Sequence, residues 1–333
     1  MGRREFIAAF GAAAACPLVA LIALSAFATK SAEAQDYPTR PVKLITQGAA
    51  ASGPDVIARI VFDQLGRLWG QQVVILNTPG AAGSAAARQA AASQPDGYTL
   101  YMPAASTFIV MPEMFPTLPV DIYRDFDRIG LVAEQPFVIA VSPSLGVNSL
   151  PELVALSKKR PGEINYAANA RGTLPHLTAE RLRDQTGADF TYIPYPGAAA
   201  GLQDVVGGRV SMIVEGLGTL MGGIQGGSIK PLAVTSLQRL PNFPDLPTVA
   251  ETVPGFIATG WFALLASSGT PEPIVRKVSQ DLRTVVALPD VRQRFLDLAT
   301  FARPMSPEET TTFIRGEQSA WKPIVRQVGF GSQ

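Results

Sequence analysis

The stretch that decides the fold runs from residue 73 to residue 84 and reads VVILNTPGAAGS. Four branched apolar residues at its start predict a buried strand. The tight turn that follows contains Pro79, which fixes one φ angle, and Gly80, which is free to adopt a positive φ. The alanine-rich residues 84–93 then predict a helix with Ser84 as its N-cap. A strand, a turn of small residues and a helix therefore follow one another here.

This turn has the composition of an anion cradle. The first N–H groups of a helix have no internal partner, and the helix dipole is positive at that end. Small residues allow a ligand to approach the backbone closely, so the segment suits an anion, most simply a carboxylate. An ordinary strand-to-helix turn has the same composition, and the segment alone does not decide between the two.

Residues 1–34 have the pattern of an export signal. Arg3 and Arg4 form a basic start, residues 6–27 are apolar and rich in alanine, and residues 32–34 (AEA) fit a cleavage site of small residues. The paired arginines also resemble a twin-arginine signal, and a retained membrane anchor is the alternative interpretation. The only cysteine, Cys16, lies in this segment, so the cleaved protein would contain no disulfide and no cysteine-based metal site.

The charge balance argues against nucleic acid as a partner. The chain carries 28 Lys and Arg residues against 27 Asp and Glu residues, for a formal net charge of +1. No basic stripe is available to neutralise a phosphate backbone.

After the leader, short apolar segments alternate with helical ones, once around residues 40–135 and again around 140–250. This alternation predicts an α/β fold with parallel sheets. Strands are predicted at 42–45, 73–76, 98–102, 137–141, 163–167, 190–193, 210–214, 232–235 and 261–266. Helices are predicted at 55–68, 84–93, 150–159, 175–187, 199–207, 217–226, 271–288, 290–299 and 306–328.

The motifs of common catalytic and cofactor sites do not occur in the chain. A Ser-His-Asp triad would have to use His176, the single histidine, and no G-x-S-x-G elbow is present. Residues 216–221 fail the dinucleotide-binding pattern at its last position, and one histidine without cysteine disfavours a zinc site. The position of His176 in the first turn of a helix favours a packed, structural side chain. We therefore expect no cofactor and no metal.

Four further loops of small and polar residues follow predicted strands. Ligands of open α/β sheets bind beyond the carboxyl ends of the strands, and all these loops fall at that edge. The loops span residues 46–54, 105–107, 170–173 and 195–198. A ligand held between two halves of the chain would receive hydrogen bonds from both.

Ordered motifs across the chain resemble the periplasmic solute-binding proteins of tripartite tricarboxylate transporters, the Bug family. The segments that carry the resemblance are YPTRPVKLI (37–45), DVIAR (55–59), NTPGAAG (77–83), PDGYTL (95–100), NYA (165–167), GTLPHL (172–177), YPG (195–197), LAVTS (232–236), LPTVAE (246–251) and WF (261–262). Their order and spacing cover about residues 37–330.

The resemblance implies a two-lobed, type II-like periplasmic binding protein fold whose lobes are joined by two crossing strands. The first lobe would comprise residues 36–138 and 257–333, and the second residues 139–256. Members of the family hold a ligand carboxylate with main-chain N–H groups and ordered water from two facing loops. Here those loops correspond to residues 48–54 and 78–83.

The chain departs from the family pattern in one of these loops. Ala50, Ala51 and Ser52 stand where members usually have Pro-Gly-Gly, so the hydroxyl of Ser52 is expected to replace a backbone donor. Glu215 stands where many members have aspartate, and a carboxylate facing the ligand would favour a hydroxyl, amide or ammonium group. A solvated or hinge carboxylate is the alternative interpretation of Glu215. The residues predicted to bind ligand are Gly48, Ala50, Ala51, Ser52, Pro79, Gly80, Ala81, Ala82, Gly83, Ser106, Thr107, Gly172, Thr173, His176, Gly197, Ala198 and Glu215.

The function implied is capture of a small organic acid by a monomeric periplasmic protein and its delivery to a membrane permease. Two alternatives stay open on the sequence. One is a protein that presents the same ligand to a signalling receptor, and the other is a periplasmic hydrolase that uses His176. The sequence does not identify the acid.

Overall fold

The computed structural model describes residues 37–50, 52–79, 83–168 and 171–329. Its strands are β1 (Val42–Thr46), β2 (Val73–Asn77), β3 (Thr99–Met102), β4 (Phe126–Val141), β5 (Asn165–Ala168), β6 (Thr191–Pro194), β7 (Met212–Gly216), β8 (Lys230–Val234), β9 (Thr259–Ser267) and β10 (Phe301–Ala302). Its helices are α1 (Gly53–Trp69), α2 (Ser84–Ala91), α3 (Ala105–Ile109), α4 (Met111–Met114), α5 (Leu150–Lys159), α6 (Leu174–Thr186), α7 (Ala198–Val206), α8 (Leu217–Gln225), α9 (Glu272–Val286), α10 (Pro289–Asp297) and α11 (Pro307–Val328).

The strands form one continuous sheet in the order β2-β1-β3-β9-β4-β7-β5-β6, with β8 and β10 also paired to β4. The strands β1, β2 and β3 are parallel, and so are β5, β6 and β7. The central strands β9 and β4 run antiparallel to their neighbours. The α/β prediction is therefore confirmed, whereas the prediction of parallel sheets holds only for the outer three strands on each side.

The register brings the carboxyl ends of both parallel groups to the same part of β4. Ala104, just beyond the end of β3, bridges Phe262, and Phe262 pairs with Ala133 of β4. On the other side Phe137 of β4 pairs with Gly216, the last residue of β7. The loops that follow the strands on each side therefore approach one another over the short segment of β4 between these two pairings.

Amphipathic helices cover the sheet. On α1 the apolar residues Ile57, Val61 and Leu65 recur every four positions, so they lie on one face of the helix, and each is fully buried against the sheet and α9. Burial of side chains of this size stabilises the fold by about 1.5–3 kcal/mol each before entropy is counted. The packing fixes the N-terminus of α1 at the carboxyl edge of β1.

Two parts of the fold escape the sequence pattern. The short helices α3 and α4 begin directly after β3, where alanine and two hydroxyl residues resemble a loop. The first half of β4 contains Asp127 and Arg128 early in the strand, and these charges obscure the strand pattern. Pairing with β9 and β10 buries that half, which only the assembled sheet provides.

None of the helices in the described ranges is both long enough and apolar enough to cross a membrane. The predicted export signal, residues 1–34, lies outside the described residues and stays a prediction.

Candidate functional site

The loops after β1, β2 and β3 meet around one glutamine. The amide Nε2 of Gln47 donates to Ser106 Oγ over 3.1 Å, and Thr107 Oγ1 donates to Gln47 Oε1. Gly83 lies so close to both that a Cβ atom there would overlap Gln47 and Thr107. The buried hydroxyl of Tyr101 donates to the carbonyl of Gly83 at 3.4 Å. Gly83, Ser106 and Thr107 thus belong to one cluster around Gln47, and their contact with a ligand stays a prediction.

The helix after the cradle turn begins differently from the sequence prediction. Gly83, with φ of 89°, is the N-cap of α2, and Ser84 is the first helical residue. The prediction of Ser84 as the N-cap was therefore wrong. Gln47 and Thr107 occupy the space beside the turn, so the chain enters the helix through a left-handed residue without a side chain.

A buried carboxylate joins the first two loops. Asp55, 1% exposed in the first turn of α1, forms a two-pronged ion pair with Arg59, at 2.9 and 3.0 Å. The amide of Asn77 donates to Asp55 Oδ1 at 2.9 Å and to the carbonyl of Gly48 at 2.8 Å. A Cβ at Gly48 would lie 2.8 Å from Ser52 Oγ, so the loop is closely folded on itself. Asp55 and Asn77 therefore set the positions of both loops.

Two buried hydroxyl groups lie at the starts of helices α1 and α6, and neither has a hydrogen-bond partner within the described residues. Ser52 is the N-cap of α1 and Thr173 the N-cap of α6, and neither side chain caps its helix. Ser52 Oγ and Thr173 Oγ1 are buried, with no hydrogen-bond partner within the described residues. Buried polar atoms are rarely left unpaired, so each of these calls for an explanation. A ligand that hydrogen-bonds to them would supply it.

Part of the predicted anion cradle is not described. Gly80, Ala81 and Ala82, together with Ala51 of the facing loop, lie outside the described ranges. Their neighbours Ala50 and Pro79 are exposed. Carboxylate binding by these backbone groups stays a prediction.

The half of the sheet formed by β5, β6 and β7 also has helices that begin just after its strands. Gly172 and Thr173 precede α6, and Gly197 is the N-cap of α7, whose first residue is Ala198. Glu215, 8% exposed, accepts the backbone N–H of Gly216 on Oε1 at 2.9 Å, so its carboxylate turns towards the start of α8.

Gln135 is a residue of this region that the sequence analysis missed. It belongs to the segment of β4 on which both groups of loops converge. A Cβ at Gly53, the first residue of α1, would lie 3.8 Å from Gln135 Oε1, and one at Gly216 would lie 3.0 Å from the same atom. Its amide therefore lies between helices α1 and α8 from opposite halves of the sheet. No motif marks Gln135, because only the strand register places it there.

Comparison with known proteins places this arrangement in a family. The family model described as "Tripartite tricarboxylate transporter family receptor" (TctC) matches residues 57–330. The chain belongs to the TctC family. The relative BugT of Bordetella pertussis is 32% identical over 298 residues, which are 89% of this chain and 91% of BugT.

Solved structures of the TctC and Bug type share the fold. The periplasmic binding protein BugD has a TM-score of 0.79 and 30% identity, with 89% of this chain and 100% of BugD covered. The R. palustris protein Rpa4515, solved with adipate, has a TM-score of 0.82 and 30% identity over 88% of this chain and 98% of its own. MatC from Rhodopseudomonas palustris, solved with malate, has a TM-score of 0.78 and 28% identity, with 87% of this chain and 100% of MatC covered.

His176 in this TctC-family chain is a packed aromatic residue. It is 3% exposed, its ring centroid is 4.4 Å from that of Tyr192, and Nδ1 accepts the N–H of Gly172 at 3.4 Å. It borders a cavity of about 530 Å³ between α6 and the end of α11. Burial lowers its pKa to about 4, so the ring is neutral at pH 7. The nearby acid Glu180 accepts from Tyr166 and Arg183 instead.

The lowered pKa of His176 predicts a loss of stability in acid. The unfolded chain takes up a proton near pH 6.5 and the folded chain only near pH 4, so the free energy of unfolding falls between these values as pH falls. At pH 5 the loss is about 2 kcal/mol. His176→Gln keeps an acceptor for Gly172 and should show a smaller drop between pH 7.5 and pH 5 in urea titrations. An identical drop in both proteins would contradict a buried, neutral histidine.

Three other side chains near these loops have structural roles. Arg171 is exposed and donates to the carbonyls of Val328 and Gly329 at 2.7 and 2.8 Å, at the end of α11. Phe108 is 1% exposed and packs 5.0 Å from Trp261, and Phe137 is 4% exposed.

Within residues 37–50, 52–79, 83–168 and 171–329, no group of three or more His, Cys, Asp or Glu side chains is placed to hold a metal ion, and the expected absence of a metal stays a prediction.

Proposed function

We propose that the chain is a periplasmic solute-binding protein that captures a small organic carboxylate between two lobes and delivers it to the permease of a tripartite tricarboxylate transporter. It acts as a monomer after its leader, residues 1–34, is removed. The observation that carries the proposal is the convergence of the two sets of helix starts on β4, with the hydroxyls of Ser52 and Thr173 unpaired.

A hinge at the middle of β4 supports the two lobes. Thr235 Oγ1 accepts the N–H of Phe137 at 2.9 Å and donates its proton to the carbonyl of Ala258. The Ala258 N–H donates back to the Thr235 carbonyl at 3.0 Å. The chain thus passes between the halves of the sheet at two adjacent places, near residues 137 and 257. These places agree with lobes formed by residues 36–138 plus 257–333 and by residues 139–256. Rotation about them would open and close the cleft.

The energetics of hydrogen bonding support an anion without an arginine clamp. Each charge-assisted hydrogen bond contributes about 1.5–3 kcal/mol net. A helix N-terminus adds about 0.3–1 kcal/mol, and more when partly buried. About four such bonds and one helix N-terminus contribute about 6–13 kcal/mol, a range that includes the roughly 8 kcal/mol of a micromolar complex, before the costs of closure and desolvation are subtracted. The acids bound to Rpa4515 and MatC, adipate and malate, are of the proposed class.

A panel of small carboxylates tests this function on the chain from Gln35 onward. A ligand at 100 times its Kd should stabilise the folded state by about 2.7 kcal/mol and raise the melting temperature by several degrees. The matched control is the diamide of each diacid, which keeps the carbon skeleton but has no charge and should give no shift. Equal shifts with acids and amides, or no shift with any acid, would contradict carboxylate capture.

A further inference from the structure

The position of Gln135 gives it direct access to a ligand in the proposed cleft. Phe262 pairs with Ala133 on one side, and Gly216 pairs with Phe137 on the other, so Gln135 lies between the carboxyl edges of the two halves. Its side chain is partly exposed, whereas the residues of β4 on both sides of the pair 134–135 are buried.

Two glycines allow the amide of Gln135 to lie close to two helix starts. Gly53 and Gly216 flank it, and a side chain at Gly216 would meet its Cδ atom at 2.9 Å. Each glycine stands at the start of a helix, α1 or α8, one in each half of the sheet. A ligand that spans the cleft therefore passes next to this amide.

A buried threonine fixes which end of the amide faces the cleft. The hydroxyl of Thr300, fully buried, donates its one proton to the carbonyl of Leu298 at 3.2 Å. Its oxygen is therefore left to accept, and it accepts from Gln135 Nε2 at 3.4 Å. The carbonyl oxygen Oε1 is left as the end of the amide that is available to a ligand.

The carboxylate of Glu215 adds hydrogen-bond acceptor oxygens near Gln135. Glu215 precedes Gly216 and uses the Gly216 N–H for its own carboxylate, at 2.9 Å. That backbone donor is therefore not open to an anion. A second ligand carboxylate placed here would meet acceptor oxygens rather than donors.

We infer that Gln135 determines specificity, and that the ligand is a carboxylic acid carrying a hydrogen-bond donor, a hydroxyl or ammonium group, which donates to Gln135 Oε1. The inference rests on the proposed function and narrows its ligand class. The donor group is recognised at β4, and the carboxylate binds elsewhere in the proposed cleft.

Two matched series of acids test the inference by calorimetry. Succinate, malate and aspartate share one skeleton with hydrogen, hydroxyl or ammonium at the same carbon, and butyrate, 4-hydroxybutyrate and 4-aminobutyrate form a second series. In at least one series the wild-type protein should bind a donor-bearing acid about tenfold more tightly than the parent acid, the effect of one net hydrogen bond.

Variants of Gln135 separate recognition from folding. Gln135→Leu removes the acceptor and should lower affinity for the donor-bearing acid about tenfold while the parent acid changes less than about threefold. Gln135→Glu keeps acceptor oxygens and should retain the preference. Thr300→Val frees the amide to rotate and should reduce the preference. Gln64→Leu, on the outer face of α1 where Gln64 bonds Asp290, should leave all affinities unchanged.

The outcomes distinguish this inference from the proposed function. Equal wild-type affinity for parent and donor-bearing acids, or an equal loss for all acids in Gln135→Leu, overturns the role of Gln135 and leaves carboxylate capture intact. Absence of binding to the six acids and to every acid of the carboxylate panel, with a folded protein by circular dichroism, overturns both.

Discussion

Replacement of Gly83 by alanine should lower the free energy of unfolding by about 3 kcal/mol and abolish carboxylate binding. A left-handed φ of 89° costs a residue with a Cβ about 1–2 kcal/mol. The added methyl group would also overlap Gln47 and Thr107, which must then move apart. Because their hydrogen bonds hold the loops after β1 and β3, the damage extends to the site. Urea unfolding and calorimetry with the panel acids measure both effects.

Gly146→Ala is the matched control for Gly83→Ala. Gly146 has a φ of 73°, but a Cβ there would have open space around it. The free energy of unfolding of Gly146→Ala should fall only by the cost of the left-handed φ, about 1–2 kcal/mol, and the variant should bind acids normally. Equal losses of stability and normal binding in both variants would show that close packing at Gly83 does not shape the site.

Removal of the Asp55 carboxylate should have a second large effect. Asp55→Ala should cost about 1–3 kcal/mol of stability, the range for leaving a buried hydrogen-bond donor unsatisfied, and weaken acid binding at least tenfold. The amide of Asn77 loses an acceptor, and the loop at Gly48 and the end of β2 lose their common anchor. Chemical unfolding measures the loss of stability, and calorimetry measures the loss of acid affinity.

The same helix provides the control for Asp55. Asp63 pairs with Arg67 at the same spacing of four residues and a similar 3.0 Å, but these side chains are 51% and 70% exposed. Asp63→Ala should change stability by about 0.5 kcal/mol or less and leave binding unchanged. If both alanine variants behaved alike, burial of Asp55 would not be what organises the loops.

Most secondary structure followed from local patterns. The helix at residues 150–159 was predicted with its observed bounds, and Ser149 caps it by accepting the Glu152 N–H. Residues 73–76 formed β2 with one further residue, Asn77, but the prediction that this strand is buried was wrong. β2 is an edge strand of the sheet, and Val74 is 39% exposed. These elements are predictable because burial of one face repeats at the helical or strand period. The antiparallel centre of the sheet was not predictable, because parallel and antiparallel strands have the same local pattern.

The candidate site was predictable in part. Ser106, Thr107 and Gly83 were identified from small and polar residues after strands, and they share one cluster around Gln47. Asp55 and Asn77 were not recognised as its anchors, because their importance depends on burial and on a contact 22 residues apart in the chain.

The sequence by itself determined the alternation of strands and helices, the TctC family and the loops of small and polar residues that follow the strands, because these are properties of short segments and of their order. Only the tertiary structure decided how those loops meet. The register of β4 places Gln135 between two halves of the sheet, and the chain of hydrogen bonds through Thr300 orients its amide. Such contacts join residues distant along the chain, and no local pattern encodes them.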